Sequence, residues 1–317
     1  MRLAPFIGLC IALPTAAFAQ TYPSRVITVV TPFAAGSGTD VITRIIGKQL
    51  TNALGQSVIV DNKPGANGIV AAHAVVHAPP DGYTLFATGN TTHSANPSLV
   101  KDLSYDPVKD FTPIVRTGNF TFVLVVGKDF PANSVAELVD YARSHPGKLT
   151  YASANSPGIV SGAILGKRAN IDLTHVPYKS SPQALTDVMA GRVSMSFIDF
   201  ATASPHLKSG ELRALAVTST ERSALLPELP TMQEAGIAPF NVTSWSGYFG
   251  PARLPSAIVT RLNGEIAKIV AMPEIKSQLA GLGFDAFSTS PEQLESFVKA
   301  EIQNWHGMVK DAEIEPQ

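Results

Sequence analysis

The feature that most constrains this chain is a strand, a loop of small residues and a helix that follow one another close to the N-terminus. Residues 26–30 read Val-Ile-Thr-Val-Val, a β-branched run that is typical of a buried strand. Residues 31–40 read Thr-Pro-Phe-Ala-Ala-Gly-Ser-Gly-Thr-Asp, and apolar residues then recur at helical spacing from Val41 to Leu54. This order predicts one strand–loop–helix unit of an α/β sheet.

The loop of this unit has the chemistry of an anion site. Gly36 and Gly38 allow the backbone to approach a ligand closely, and Ser37 and Thr39 add hydroxyl groups. The first turn of the helix leaves N–H groups unpaired at the positive end of its dipole. Together these features predict that the helix start binds an anion. A tight turn with a helix cap is the alternative that the loop alone leaves open.

Two common nucleotide-binding motifs are absent from the sequence. A dinucleotide fingerprint would need a third glycine at position 41, where the chain has Val41. A Walker A loop needs Gly-Lys followed by Ser or Thr, and none of the Gly-Lys pairs has either residue next. The predicted anion site is therefore not one of these two phosphate-binding loops.

The first nineteen residues have the three parts of a secretory signal peptide. Arg2 precedes an apolar run at 3–13 that is too short to span a bilayer, and Ala-Phe-Ala at 17–19 is a cleavage site. We expect cleavage after Ala19 and export to a bacterial periplasm. The only cysteine, Cys10, lies in this segment, so the mature chain is expected to have neither disulfides nor a thiol nucleophile.

Length and charge narrow the class of protein further. A chain of 317 residues exceeds one compact core of ordinary size, which predicts two lobes. A net charge of −1 gives no reason to expect binding to nucleic acid or to an anionic membrane surface. We therefore expect a globular protein without a nucleic-acid partner, and we expect it to be a monomer.

The strand–loop–helix pattern recurs about 120 residues after its first occurrence. A strand at 149–152 leads into Ser-Ala-Asn-Ser-Pro-Gly at 153–158 and then into a second helix. Polar loops also follow predicted strands at 89–94 and 178–182. Ligands of open α/β sheets bind outside the carboxyl ends of the strands, where these loops would lie. Two helix starts on two lobes could thus close on one small anion.

The alternation of strands and helices predicts mostly parallel sheets that helices cover on both faces. Predicted strands at 121–126 and 242–249 would carry the chain from one lobe to the other and back. We therefore expect residues 1–19 to be the signal peptide. Residues 20–122 and 243–317 are predicted to form lobe 1, and residues 123–242 lobe 2.

The sequence offers little support for catalysis or metal binding. His73 and His77 stand four residues apart on a predicted helix, but no third ligand accompanies them. The chain has no Gly-x-Ser-x-Gly elbow for a serine nucleophile. We predict no catalytic residue, no metal and no cofactor. Two alternatives stay open, an enzyme that acts on a small organic acid in the same cleft and a periplasmic ligand sensor.

Several short motifs occur in a fixed order along the mature chain. They are Tyr-Pro-Ser-Arg at 22–25, Pro-Phe at 32–33 with Gly-Thr-Asp at 38–40, Pro-Gly-Ala at 64–66, Pro-Asp-Gly-Tyr-Thr-Leu at 80–85, Asn-Pro-Ser-Leu at 96–99, Tyr-Asp-Pro-Val-Lys-Asp-Phe at 105–111, Val-Pro-Tyr-Lys at 176–179 and Leu-Arg-Ala-Leu-Ala-Val-Thr at 212–218. This series resembles the Bug family, the periplasmic solute-binding proteins of tripartite tricarboxylate transporters. The similarity covers essentially the whole mature chain.

The resemblance implies a type II periplasmic-binding-protein fold of two α/β lobes, with crossing strands as the hinge. It also implies capture of a small carboxylate, which we expect to be a dicarboxylate, for delivery to the membrane permease subunits of the transporter. Together with the strand-end loops it predicts a set of ligand-binding residues. These are Phe33, Ser37, Gly38, Thr39, Asp40, Thr91, Thr92, His93, Ser153, Asn155, Ser156, Tyr178, Lys179, Asp199 and Phe200.

The predicted ligand loops are almost free of positive charge. The segments 31–40, 90–94 and 153–162 contain no Lys or Arg, and Lys179 is the only cation in the loops considered. Backbone N–H groups and hydroxyls should therefore hold most of the anionic charge. Asp40 is itself negative, so we expect it to cap its helix or orient its loop.

Overall fold

The computed structural model of this chain describes residues 22–316, so the predicted signal peptide and Cys10 lie outside the described residues. Within this range the chain forms two sheets with packed helices. The strands are β1 (Ile27–Thr31), β2 (Val58–Asn62), β3 (Thr84–Gly89), β4 (Phe111–Phe120), β5 (Phe122–Gly127), β6 (Leu149–Ser153), β7 (Leu173–Pro177), β8 (Met195–Asp199), β9 (Leu212–Val217), β10 (Ser244–Pro251) and β11 (Phe284–Ala286).

Helices alternate with these strands through most of the described chain. They are α1 (Gly38–Leu54), α2 (Ile69–Val76), α3 (Asn96–Leu99), α4 (Val135–Ser144), α5 (Ser156–Ala169), α6 (Ser181–Met189), α7 (Phe200–Lys208), α8 (Ser256–Ala271), α9 (Pro273–Ala280) and α10 (Pro291–Asp311). A 3₁₀ turn at Ala66–Gly68 and a π-helical turn at Thr91–Ala95 complete the helical segments. Among residues 22–316, no helix combines the length and apolar character that a membrane crossing requires.

The two sheets define two lobes. The first sheet has the order β11-β4-β10-β3-β1-β2, and the second has the order β7-β6-β8-β5-β9. In the first sheet β1 pairs in parallel with β2 and β3, whereas β10 runs antiparallel to β3 and β4. The carboxyl end of β8 leads directly into α7, those of β3 and β6 reach helical turns within two residues, and that of β1 reaches α1 through the loop at 32–37, so these helix starts lie at the sheet edges that ligands use.

Local sequence signals account for the ends of these helices. The side chain of Ser37 caps α1 by accepting from the Asp40 N–H at 3.4 Å, and Gly55 ends α1 with a left-handed φ of 67°. Ser290 and Gln293 form a reciprocal capping box at the start of α10. Helices and strands thus begin and end largely where the sequence predicts.

The chain crosses between the sheets at two strand-like connections. Thr121 separates β4 from β5, and its N–H donates to the Gly283 carbonyl at 2.7 Å while its carbonyl accepts from Phe200 N–H at 2.9 Å. On the return path the Thr218 hydroxyl donates to the Val242 carbonyl at 2.7 Å. The Thr218 N–H also donates to the Phe122 carbonyl at 3.1 Å, so Thr218 joins the two crossing points side by side, which is the arrangement of a hinge.

Helix α10 contacts the cores of both lobes. Its first half buries Leu294 and Val298 with residues of the first lobe. Its second half buries Trp305 and Val309 in the core around the second sheet. The second half of α10 also contacts α5, so this helix packs against both lobes.

The segment that follows β3 differs from its prediction. The sequence indicated an open polar loop at 89–94, but this segment is helical and buried. The Thr88 and Thr92 hydroxyl oxygens lie 2.6 Å apart, and the Tyr105 hydroxyl donates to the Thr92 carbonyl at 2.8 Å. These hydrogen bonds offset part of the cost of burying the segment between β3 and α10, while Ser94 Oγ and His93 Nε2 have no partner within residues 22–316.

Candidate functional site

A cleft lies between the two lobes where the carboxyl ends of β1, β3, β6 and β8 converge. Of the predicted ligand residues, those that line its inner cavity are Phe33, Ser37, Gly38, Thr39, Thr91, Asn155 and Asp199. The volume open to the centre of a water molecule is about 30 Å³, and one water needs about 10–15 Å³ of such volume. The cleft is therefore almost closed, and the lobes must separate before a larger molecule can enter.

Asp40, in the first turn of α1, is held by hydrogen bonds and a salt bridge within the first lobe. Asp40 accepts from the Gly36 N–H and from the Asn62 amide, both at 2.9 Å, and it forms a salt bridge with Arg44 at 2.9 Å. Burial alone would raise the pKa of Asp40, but the hydrogen bonds from Arg44, Gly36 and Asn62 outweigh burial and lower it. Asp40 therefore stays ionised and orients the loop, the role that its sequence position suggested.

The backbone N–H groups of Gly38 and Thr39 find no acceptor within residues 22–316. Both residues line the cavity, and the Ser37 hydroxyl next to them accepts from Asp40 N–H, which leaves its own proton free to be donated. Two amides and a hydroxyl at the positive end of a 17-residue helix suit one carboxylate group.

The start of α5 on the second lobe is arranged differently. Asn155 caps this helix by accepting from the Gly158 N–H at 3.0 Å, and Pro157 has no N–H to offer. The Ser156 N–H donates to the Thr91 hydroxyl of the first lobe at 3.3 Å. The two helix starts, which the sequence treated as equivalent, therefore present different numbers of available donors.

Gly38 and Asp199 meet across the cleft. A Cβ atom at position 38 would overlap Asp199 Oδ1 and would lie 3.2 Å from the Phe120 ring, so only glycine fits between the closed lobes. Asp199 Oδ1 also accepts from the Thr202 N–H at 2.8 Å and from its hydroxyl at 2.7 Å, which caps α7. Burial raises the pKa of Asp199.

Thr92 and His93 lie behind the cleft and do not line the cavity. The Thr92 hydroxyl oxygen is 2.9 Å from His93 Nδ1, and the imidazole stacks on Phe249 with ring centroids 4.0 Å apart. Burial lowers the pKa of His93 to about 3, so the ring is neutral at ordinary pH. This geometry makes His93 part of the aromatic core that supports the Thr91 segment.

The remaining predicted residues surround the inner cavity without lining it. Ser153 is buried at the end of β6, Ser156 contributes its N–H to Thr91, and Phe200 packs on Gly283. Tyr178 and Lys179 line a separate outer pocket of about 180 Å³, which Phe33 also lines. The outer pocket therefore adjoins the inner cavity at that ring.

A serine and a histidine lie close enough together to be considered for catalysis. Ser153 Oγ is 2.6 Å from His175 Nε2, a separation that suits a nucleophile and its base. Within residues 22–316, however, His175 Nδ1 has no carboxylate partner, and the imidazole instead stacks on Tyr151. The pair therefore lacks the third group that orients the base in serine hydrolases.

The inner cavity also contains residues that were not among the individual ligand residues predicted. Gly89, Asn90, Pro157 and Ser181 belong to the predicted ligand loops, whereas Phe120, Phe122, Ser244 and Trp245 lie outside them. The loop position of Asn90 gave no signal of its contacts: its amide donates to the Thr243 carbonyl at 3.0 Å and its oxygen accepts from the Trp245 N–H at 2.6 Å, a pairing of distant segments.

Two α/β lobes, crossing connections and a cleft lined by amides and hydroxyls define the class of two-lobed solute-binding proteins. A family model supports this assignment: the tripartite tricarboxylate transporter family receptor, TctC, matches residues 42–314. The chain therefore belongs to the TctC family of tripartite tricarboxylate transporter receptors.

Solved structures agree with the family assignment. Rpa4515 of R. palustris with adipate is 35% identical, has a TM-score of 0.91, and the alignment covers 93% of this chain and all of that one. The periplasmic binding protein BugD is 32% identical, has a TM-score of 0.89, and the alignment covers 93% and 100% of the two chains. The predicted Bug-family resemblance and two-lobed α/β fold are thus confirmed.

A third structure carries a different ligand. MatC (Rpa3494) from Rhodopseudomonas palustris with bound malate is 34% identical, has a TM-score of 0.85, and the alignment covers 91% of this chain and 100% of that one. Adipate and malate each carry two carboxyl groups, so the ligands of these two neighbours share one chemical class.

Proposed function

We propose that this protein is a periplasmic solute-binding protein that captures a small carboxylate between its lobes for uptake by a tripartite tricarboxylate transporter. The observation that carries the proposal is the pair of unpaired N–H groups at Gly38 and Thr39, which open into a nearly closed interlobe cavity. Membership of the TctC family supports the transport role, and the adipate and malate complexes of the neighbours support the ligand class.

The hydrogen-bond donors at the start of α1 are sufficient to bind a carboxylate with micromolar affinity. A hydrogen bond to a charged group contributes about 1.5–3 kcal/mol. Two amides with the hydroxyl of Ser37 could together reach micromolar affinity, which corresponds to about −8 kcal/mol. A cluster of Arg or Lys side chains is therefore unnecessary.

We expect the preferred ligand to be a dicarboxylate. One carboxylate would lie at the start of α1, and the other would extend toward the second lobe. Phe33 lines both the inner cavity and the outer pocket, so it could flank the spacer between the two carboxylates. Phe200, also a predicted ligand residue, lies outside the inner cavity and packs on Gly283.

A thermal-shift screen over mono-, di- and tricarboxylates tests this function. A ligand at 100 times its dissociation constant adds about 2.7 kcal/mol to the free energy of unfolding. For a chain of this size the midpoint should rise by roughly 5–10 °C. A screen in which no carboxylate shifts the midpoint would contradict the proposal. Proton NMR of the same mixtures distinguishes binding from catalysis, because an enzyme would consume the acid.

The cellular part of the proposal can be tested separately. We propose that the chain is exported, cleaved after Ala19 and monomeric in the periplasm, where it would deliver its ligand to the permease subunits. Intact mass of the protein from a periplasmic extract should correspond to residues 20–317. Uptake of the ligand should require both this protein and the permease, whereas a sensor would leave uptake unchanged when it is deleted.

A further inference from the structure

The inner cavity of a proposed carboxylate-binding protein contains an acidic residue. Asp199 is the only charged residue that lines the cavity in the part of the chain that the structure describes. Its side chain is 5% exposed, and no Lys, Arg or His within residues 22–316 forms a salt bridge with it. An isolated carboxylate in such a site is unfavourable unless it is neutralised.

The position of this carboxyl group brings it close to the expected ligand. Asp199 Oδ1 lies against the Cα of Gly38, whose N–H is one of the two free donors at the start of α1. A carboxylate bound to Gly38 and Thr39 would therefore lie next to Asp199. Two carboxylates that share a closed cavity without a cation repel each other, and the usual outcome is that one of them takes up a proton.

Neighbouring titratable groups do not remove this conflict. Those on the adjoining elements are Asp40, Arg44 and Lys48 on α1, Arg116 on β4, Tyr248 on β10, Lys167 and Arg168 on α5, Asp187 on α6, and His206 and Lys208 on α7. None of them lines the inner cavity. Asp40 and Arg44 neutralise each other at 2.9 Å, and His206 contacts Glu211 at 3.1 Å. The carboxyl group of Asp199 therefore faces uncharged residues and the ligand.

We propose that Asp199 is protonated in the closed complex and donates a hydrogen bond from its carboxyl O–H to the bound carboxylate. Binding then takes up one proton from solvent. Oδ1 already accepts two hydrogen bonds from Thr202, which leaves Oδ2 as the atom that carries the proton. The raised pKa of Asp199 on burial favours the same state. This inference rests on the proposed function.

The sign of the pH effect follows from this proton. Separation of the lobes would expose Asp199 to water and remove the burial that raises its pKa, so the open form ionises more readily than the complex, which requires the protonated form. Affinity is therefore greatest at low pH and falls by up to about tenfold for each pH unit above the pKa of Asp199 in the free protein. Measurements at about pH 6.5–8.5 keep simple aliphatic dicarboxylates ionised, so the ligand itself contributes no proton.

Isothermal titration calorimetry with adipate, and in parallel with malate, tests the inference on the mature chain. Titrations in two buffers of different ionisation enthalpy measure proton uptake directly. Wild type should take up close to one proton and lose affinity as pH rises. Asp199→Asn should still bind, because its amide donates in place of the carboxyl, but its affinity should not depend on pH. The control Asp140→Asn, an exposed position on α4, should behave as wild type.

Three results would overturn the inference. Binding to wild type without proton uptake, together with loss of binding in Asp199→Asn, would show that Asp199 stays ionised in the complex and is needed in that form. If Asp199→Asn binds with the same affinity and pH dependence as wild type, the role of Asp199 is limited to capping α7. Absence of any carboxylate binding to wild type at every pH would overturn the proposed function and this inference with it.

Discussion

The starts of α1 and α5 share a sequence pattern, yet they differ in the hydrogen-bond donors that they can give to a ligand. Each follows a strand, has a polar N-cap and begins with small residues. On α1 the N–H groups of Gly38 and Thr39 remain without acceptors within residues 22–316. On α5 Pro157 removes one donor, the Asn155 cap uses another, and Thr91 accepts the third. Only α1 is therefore equipped to receive a carboxylate.

The difference assigns separate tasks to the lobes. In the proposed function, the first lobe supplies the anion site, and the second lobe supplies a surface that closes over it and bonds to Thr91. A helix start is thus an anion site only when its donors are left free, and residues near the cap decide whether they are. Four substitutions test this division, in order of decreasing expected effect.

Replacement of Gly38 by valine should have the largest effect. The new Cβ would overlap Asp199 Oδ1 and crowd the Phe120 ring, so the lobes could not close over the α1 donors. We expect a loss of affinity of about a hundredfold or more, since several charge-assisted hydrogen bonds of about 1.5–3 kcal/mol would be lost. Calorimetry measures this loss, and small-angle scattering should show no compaction when ligand is added.

A matched glycine variant controls for folding. Gly264→Ala on α8 places its Cβ in open space and should bind as wild type does. Circular dichroism must show that the Gly38→Val protein is folded. Tight binding by a folded Gly38→Val protein would contradict the role assigned to the start of α1.

Thr91→Val tests the contact between the two helix starts. Valine keeps the shape of threonine but cannot accept from the Ser156 N–H, a hydrogen bond that forms only when the lobes are closed. Loss of a hydrogen bond of about 0.5–1.5 kcal/mol should weaken binding by roughly two- to twelvefold. Calorimetry provides the affinity, with the exposed strand position Thr174→Val as control. An unchanged affinity would mean that this hydrogen bond does not favour closure.

Pro157→Ala should make α5 more like α1. The substitution restores an N–H to the first turn of α5 at a position that lines the cavity. If that donor reaches the ligand, affinity should rise by about fivefold, which corresponds to about 1 kcal/mol. Thermal stability without ligand should fall by about 0.4–1 kcal/mol, because alanine leaves the unfolded chain more freedom. If Pro157→Ala binds the ligand more weakly, the proline helps the lobes to close, and its missing N–H is not what limits the affinity.

Lys179→Ala should have the smallest effect. Lys179 lines the outer pocket rather than the inner cavity, and an exposed ion pair contributes about 0.2–1 kcal/mol. Affinity for a dicarboxylate should therefore fall by no more than about fivefold. Raising the salt concentration should abolish most of this difference, because exposed charges are screened. Complete loss of binding here, with binding retained in Gly38→Val, would contradict the backbone-donor account.

The sequence by itself determined the two-lobed α/β class and the strand–loop–helix unit of the first lobe. These features rest on local signals: the periodicity of strands and helices, the Ser37 cap and the glycines of the loop. Hydrogen bonds and side-chain spacing within a few residues are enough to form them. The orienting role of Asp40 was predictable for the same reason, since its acceptors face the N–H of Gly36 only four residues away.

Only the tertiary structure decided which predicted residues meet in the cavity. His93 is buried in an aromatic cluster because Phe249, more than 150 residues later, packs on it. Asp199 reaches Gly38 because the crossing connections bring the end of β8 to the start of α1. The first contact joins distant segments of one lobe and the second joins the two lobes, and no pattern within any of these segments records that geometry.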